Sequence, residues 1–319
     1  MRAVQVTEIG KPPVLADLPD PEPGQGEILV RIAACGLNFA DLLMIRGQYQ
    51  DTPPAPFTLG MEVSGVVDAV GEGVTTPAVG TRVAVFAGHG GLAERGVFPA
   101  ARAVPIPDTM SFTQAAAFLV AYGTSHLALT ERAGLQAGER LLVLGAAGGV
   151  GLTAVELGAL MGAEVIAVAR GPEKLAVAAR AGATHLIDSQ SADIRAEVKA
   201  LGGADVVYDA VGGAGFDAAL RATRPEGRIL SIGFASGEVP QVPANILLVK
   251  NLSVMGFYWG GYLAFAPEKL TASLSELMAL FEAGRITPHV SATFPLDRAS
   301  DALDLLRSRK STGKVVVTV

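Results

Sequence analysis

Leu141-Leu142-Val143-Leu144-Gly145-Ala146-Ala147-Gly148-Gly149-Val150-Gly151 is a run of four aliphatic residues entering a glycine-rich turn. The aliphatic run reads as a strand buried on both faces, and residues 150–161 read as the helix that follows. A pyrophosphate can rest on the backbone N–H groups of a helix N-terminus only where no side chain stands in its way. Gly148 and Gly149, between Ala147 and Val150, leave that room, and Gly151 lets the helix pack closely on its strand. The run departs from G-x-G-x-x-G because Ala146 holds the first position. A strand before it and a helix after it give the motif its meaning, and the stretch reads as a dinucleotide site.

The residue after the second strand selects the dinucleotide. Residues 164–169 form that strand and run into Arg170, with Lys174 one helical turn later. A site for NAD places Asp or Glu there to bond the ribose hydroxyls. A carboxylate repels a 2′-phosphate, whereas a guanidinium holds one in a fork. The expected cofactor is NADP(H). The alternative is two solvated cations at a strand end.

The chain has 319 residues, half of them hydrophobic, which allows one large domain or two moderate ones. A net charge of −6 with no basic run argues against a general nucleic-acid binder. Cys35 is the only cysteine, so neither an intramolecular disulfide nor a cysteine-rich metal site can form. The N-terminus reads as a strand with no apolar signal segment, and no apolar run reaches the roughly 18 residues of a membrane span. The expected location is the cytoplasm.

Upstream, short valine-rich runs bounded by glycines and prolines (27–32, 61–70, 82–86) mark a mostly β region, with one helix expected from residue 39 to about 45. Ser111 and Gln114 offer a capping box. From residue 140 strands and helices alternate, with strands expected at 141–144, 164–169, 185–187, 205–208, 228–232 and 251–256. That alternation predicts a parallel sheet covered on both faces. Helices are expected at 267–283 and 297–308, and a final strand at 313–319 is expected to return to the first domain.

Several ordered segments carry a resemblance. They are Cys35-Gly36-Leu37-Asn38-Phe39-Ala40-Asp41, Arg46-Gly47-Gln48-Tyr49, Gly60 to Val67, Val79 to Val83, Ala146 to Gly151, and Gly313-Lys314-Val315-Val316-Val317. In order and spacing the whole chain resembles a medium-chain dehydrogenase/reductase, of the zinc-free quinone oxidoreductase (zeta-crystallin-like) branch. The resemblance implies an α/β fold: a doubly wound parallel Rossmann sheet at 116–267 and a mostly β GroES-like catalytic domain at 1–115 and 268–319, with the active site between them. Where zinc-dependent relatives carry Cys and His ligands, this chain has Asn38 and Met61, poor partners for Zn²⁺. The four cysteines of a structural zinc lobe are missing too, so no metal is expected. Cys35 reads as a packing residue.

Without a Lewis acid, simple alcohol oxidation loses its main support. Hydride addition to a quinone or an α,β-unsaturated carbonyl needs less, because charge on the oxygen is delocalised and one or two aimed donors suffice. Asn38 is the first candidate to face the acceptor, with a local turn-fixing role as the alternative. Tyr49, the tyrosine of the family's Arg-Gly-x-Tyr segment, is the second, with a buried structural role as the alternative. Asp41 is expected to organise the helix beside Asn38, and Glu62 to hold a structural hydrogen bond. Leu43 stands where some relatives carry a further tyrosine.

The resemblance also implies cofactor contacts at Thr124, Val211, Gly233, Phe234 and Phe257. Ser189 stands where some relatives place a tyrosine near the cofactor phosphate. Lys314 is expected near the cofactor, or else is an ordinary strand-edge lysine. The aromatic cluster from Phe257 to Tyr262 either lines a pocket for a flat substrate or meets a second subunit, and a homodimer is expected. Competing readings are a 2-alkenal or enoyl-thioester reductase, and a non-catalytic NADPH-binding protein like the crystallins or the VAT-1 relatives.

Overall fold

The computed structural model describes residues 1–319, which divide into two compact units, Met1–Val120 with Pro288–Val319 and Ala121–Thr287. The sequence division at 115/116 and 267/268 differs most at its second crossing. The helix Pro267–Glu282 packs with the second unit, burying Leu270, Leu274 and Leu277. Buried Ser273 bonds the His126 ring at 2.8 Å, and Lys269 pairs with Glu131. A change from alternating to helical patterning marked an element there but not the body it joins.

The strands, in chain order, are β1 (Arg2–Val6), β2 (Val14–Asp17), β3 (Glu27–Gly36), β4 (Phe57–Thr58), β5 (Glu62–Val70), β6 (Arg82–Phe86), β7 (Arg95–Pro99) and β8 (Ala103–Pro105). They continue with β9 (Arg140–Leu144), β10 (Glu164–Ala169), β11 (His185–Asp188), β12 (Ala204–Asp209), β13 (Thr223–Ser231), β14 (Ser253–Gly256), β15 (Val290–Pro295) and β16 (Lys314–Thr318).

In the first unit β2-β1-β4 form a small sheet, and β15-β16-β3-β5-β6-β8 a larger one. β3 divides one edge between two partners: Glu27 to Arg31 pair with β7, and Ala34 to Gly36 pair with β16. β16 therefore lies inside the sheet, parallel to β15 and antiparallel to β3, and the expected return of the final strand is observed. Val30, Val63, Val85, Val315 and Val317 belong to one buried cluster with Leu303 of the helix Ala299–Arg307. Each fully buried aliphatic side chain of this kind contributes about 1.5–3 kcal/mol.

The second unit is a six-stranded sheet in the order β11-β10-β9-β12-β13-β14, parallel throughout. This is the doubly wound order of a dinucleotide fold, with the switch point at β9. Leu141 to Leu144 are all buried, as a central parallel strand with both faces covered requires. The α/β class, with one doubly wound domain and one mostly β domain, is as the sequence implied. No helix is long and apolar enough to cross a membrane.

Candidate functional site

In a parallel sheet every strand delivers its following loop to the same edge. The carboxyl edge of the second unit thus collects Gly145 to Gly151 after β9, Arg170 after β10, Ser189 after β11, Val211 after β12, Gly233 and Phe234 after β13, and Phe257 after β14. Open α/β sheets bind ligands at this edge, beside the switch point.

The glycine turn is built from backbone contacts. Gly145 takes φ +73°, a conformation that disfavours side chains. The turn glycine is thus Gly145, one residue before the position that Ala146 occupies in the motif. Gly148 donates to the Gly145 carbonyl at 2.9 Å and begins the helix Gly149–Leu160, whose first turn no side chain caps. A Cβ on Gly151 would fall 2.2 Å from the Gly145 carbonyl oxygen, so the helix meets its own turn at a distance only glycine permits. Gly148 is exposed, Gly149 and Val150 are half-buried, and Ala147 is buried beneath them.

Arg170 is exposed and Lys174 half-buried, on the first turn of the helix Pro172–Arg180. The Lys174 ammonium is held below its usual range by partial burial and by the positive charge of Arg170. The charges of Arg170 and Lys174 thus stand close enough to interact at the end of β10. The segment is fixed from β11: Asp188 accepts the Gly171 and Gln190 N–H groups at 2.9 and 3.0 Å, and Ser189 donates to the Ala169 carbonyl at 3.0 Å.

After β12, buried Asp209 accepts N–H groups from Val211 at 2.8 Å and Gly212 at 3.0 Å, closing that loop. Ala235 and Ser236 then donate to the Ala210 and Val211 carbonyls, lacing it to the loop that carries Gly233 and the exposed ring of Phe234. Phe257 is buried against Tyr262, ring centroids 5.6 Å apart. Trp259 is buried as well, while Tyr258 and Phe265 are exposed. The aromatic cluster is thus partly core and partly surface. Thr124 is buried on the helix Leu119–Leu127.

The first unit holds a separate polar cluster. Lys314 Nζ donates to Glu62 Oε1 at 2.5 Å and to Asn38 Oδ1 at 2.7 Å. Asn38 Nδ2 donates to Glu62 Oε1 at 3.0 Å and to the Gly36 carbonyl at 3.3 Å, and Val120 N–H reaches Glu62 Oε2 at 3.1 Å. Asp41 accepts from the Asn38 and Gly60 N–H groups, organising the start of the helix Phe39–Ile45. Burial pushes its carboxyl up to about 7, against the opposing pull of these bonds and of Lys314. Lys314 is 5% exposed on an interior strand, which overturns the strand-edge alternative. Sequence reasoning placed Asn38, Glu62 and Lys314 in separate motifs; only the register of β16 on β3 and of β3 on β5 brings them together.

Tyr49 lies beyond that helix, half-buried against the apolar core of the first unit. Cys35 is buried, its thiol pushed up by burial and by Asp41 and Glu62, as a packing residue would be. Met61 is buried beside it in the same cluster. No group of three or more His, Cys, Asp or Glu side chains is placed to hold a metal.

Residues 24–108 match the alcohol dehydrogenase GroES-like domain family, and residues 149–281 the zinc-binding dehydrogenase family. The chain is 44% identical to quinone oxidoreductase-like protein 2 homolog of Nematostella vectensis, over 99% of this chain and 88% of that one. The chain belongs to the zinc-free quinone oxidoreductase branch of the medium-chain dehydrogenases/reductases. Among solved members, the quinone oxidoreductase of Thermus thermophilus, studied also in complex with NADPH, superposes with a TM-score of 0.90 at 37% identity, covering all of both chains. The human synaptic vesicle membrane protein VAT-1 homolog is 35% identical over 93% of this chain and 80% of its own length. The second matched family is described as zinc-binding, whereas Asn38 and Met61 are side chains poorly suited to Zn²⁺, and Lys314 brings its charge to Asn38.

Proposed function

We propose that this protein is an NADPH-dependent oxidoreductase that reduces a quinone or another conjugated carbonyl compound without a metal. The observation that carries the reading is the Arg170–Lys174 pair at the end of β10, beside an uncapped glycine turn. Arg170 and Lys174 would hold the 2′-phosphate, with Ser189 on the adjoining loop. The backbone of Ala147, Gly148, Gly149, Val150 and Gly151 would hold the pyrophosphate. Val211, Gly233, Phe234, Phe257 and Thr124 would border the rest of the cofactor, and Lys314 is assigned to the same cofactor. The NADPH complex of the Thermus relative supports NADP(H) as the cofactor. The Gly151 contact supports it too, since that close approach serves a ligand-binding turn.

When bound, NADPH would supply a hydride, and one proton, from a hydroxyl or from water, would complete the two-electron reduction of quinone to hydroquinone or of enone to ketone. We assign Asn38 and Tyr49 to the acceptor. The two amide hydrogens of Asn38 go to Glu62 and Gly36 in the structure, so serving an acceptor oxygen exchanges one of these bonds; the 3.3 Å bond to Gly36 is the weaker. Lys314 and Glu62 hold the amide in place meanwhile.

The test is purified protein supplied with NADPH and a panel of benzoquinones, naphthoquinones, enones and enoyl thioesters. Acceptor-dependent loss of nicotinamide absorbance, faster with NADPH than NADH, is expected for quinones and enones. Preference for long enoyl thioesters would move the assignment to the enoyl reductases. Tight NADPH binding with no turnover on any acceptor would favour a non-catalytic binder, a reading that the likeness to VAT-1 homologs keeps in view.

A homodimer belongs to the same proposal. β14 ends the sheet with one edge open, and Val239, Leu248 and Val249 nearby in sequence are among the most exposed large apolar side chains. Light scattering at working concentration should give twice the chain mass of 32.7 kDa. A cytoplasmic location is the remaining part, in keeping with one thiol, Cys35, held in the core.

A further inference from the structure

Beneath the glycine turn lies a network of three buried hydroxyls. Ser125 Oγ lies 2.8 Å from Thr153 Oγ1 and 3.0 Å from Tyr208 Oη, and donates to the Val150 carbonyl at 2.9 Å. Thr153 Oγ1 lies 3.0 Å from the carbonyls of both Ala121 and Val150. Ser125 and Tyr208 are fully buried and Thr153 nearly so. Ser125 comes from the helix Leu119–Leu127, Thr153 from the helix Gly149–Leu160, and Tyr208 from the strand beside β9.

Apolar residues of similar size would fill this space without the desolvation that buried hydroxyls incur. Ser125 and Thr153 converge on one backbone group, the Val150 carbonyl, which shares its peptide with the Gly151 N–H, and Tyr208 acts on it through Ser125. A donor placed on a peptide oxygen polarises that peptide and strengthens its N–H as a donor. It also fixes the plane of the first helical turn against the strand below.

We infer that Ser125, Thr153 and Tyr208 are positioning residues for the pyrophosphate, acting through the Val150–Gly151 peptide. The inference rests on the NADP(H) reading of the glycine turn. The network touches neither Arg170 nor the 2′-phosphate end, so it governs affinity without governing the choice between NADPH and NADH.

Binding of NADPH, NADH, ADP and 2′-AMP to the wild type and to Ser125→Ala and Tyr208→Phe, by calorimetry, is the test. Both variants should bind NADPH, NADH and ADP about 3–10-fold more weakly, a loss of the size expected for one hydrogen bond. 2′-AMP, which has no pyrophosphate, should bind as before, and the NADPH/NADH ratio should hold. Thr153→Ser, which keeps the hydroxyl, should behave as wild type. Unchanged ADP affinity in a variant with wild-type circular dichroism overturns the inference, as does an equal loss for 2′-AMP and ADP, which signals general loosening. A wild-type protein that binds none of the four overturns the NADP(H) reading itself and this inference with it.

Discussion

Lys314 Nζ and Glu62 Oε1 lie 2.5 Å apart, joined across 252 residues of sequence, with both side chains almost completely removed from solvent. A buried pair of this kind adds little over an apolar replacement, but removing one partner leaves a buried charge behind. Lys314→Ala should therefore lower unfolding free energy by about 3–5 kcal/mol. The double variant Lys314→Met, Glu62→Gln should recover most of that loss. Urea denaturation of the three proteins measures both values; equal stability of Lys314→Ala and wild type would remove the pair from the account.

Asp41 gives a pH dependence of definite sign. Its folded-state value of about 7 lies above the ordinary 3.8. Between those values the folded protein keeps a proton that the unfolded chain has lost. The contribution is full below pH 4 and is lost as pH rises toward 7, at no more than about 1.4 kcal/mol per unit. Relative to Asp41→Asn, which has no such proton, the wild type should weaken across that window. Urea midpoints of both proteins from pH 4 to 8 should converge or cross accordingly, and parallel profiles would contradict the prediction.

Arg170→Ala should reduce NADPH affinity tenfold or more, on the order of 1.5–3 kcal/mol for hydrogen bonds to a charged group, and leave NADH nearly unchanged. Lys174→Ala should act in the same direction and more weakly. Fluorescence titration of each nucleotide gives the ratio directly. Equal losses for both nucleotides would mean that the two cations do not read the 2′-phosphate.

Gly151→Ala tests the turn. Alanine is the better helix former, yet its Cβ would sit 2.2 Å from a backbone oxygen that cannot move aside without displacing the turn. Overpacking should outweigh the propensity gain and destabilise the second unit by about 1–3 kcal/mol. Thermal unfolding followed by circular dichroism should show a lowered midpoint, with dinucleotide affinity falling alongside it.

The second unit was legible because its signals are local. Four aliphatic residues, a glycine turn and an alternating pattern state a parallel sheet, and the order of its strands then places Arg170, Val211, Gly233 and Phe257 on one edge. The first unit was legible as β-rich, and Asn38, Glu62 and Lys314 as separate candidates, but not as one bonded cluster. Asn38 looked like a free amide in the sequence, yet its hydrogens go to Glu62 and Gly36. Lys314 read either as a cofactor neighbour or as an edge lysine, and β15, which was not expected as a strand, covers the far side of β16 and removes the second reading. Ser125, Thr153 and Tyr208 carried a weak signal only: hydroxyls set within apolar runs, whose meeting depends on three separate elements. Gly145 was hidden by the motif register, since φ rather than spacing decides which glycine makes the turn.

The placement of β16 has a consequence for biosynthesis. Residues 1–120 lay down most of the first sheet, but the groove between β3 and β15 closes only when Val315, Val316 and Val317 arrive, after the whole of Ala121–Thr287 has been made. During synthesis the strands of Met1–Val120 therefore lack β15 and β16 until Ala121–Thr287 has been made. Residues from either side of Ala121–Thr287 complete one body together.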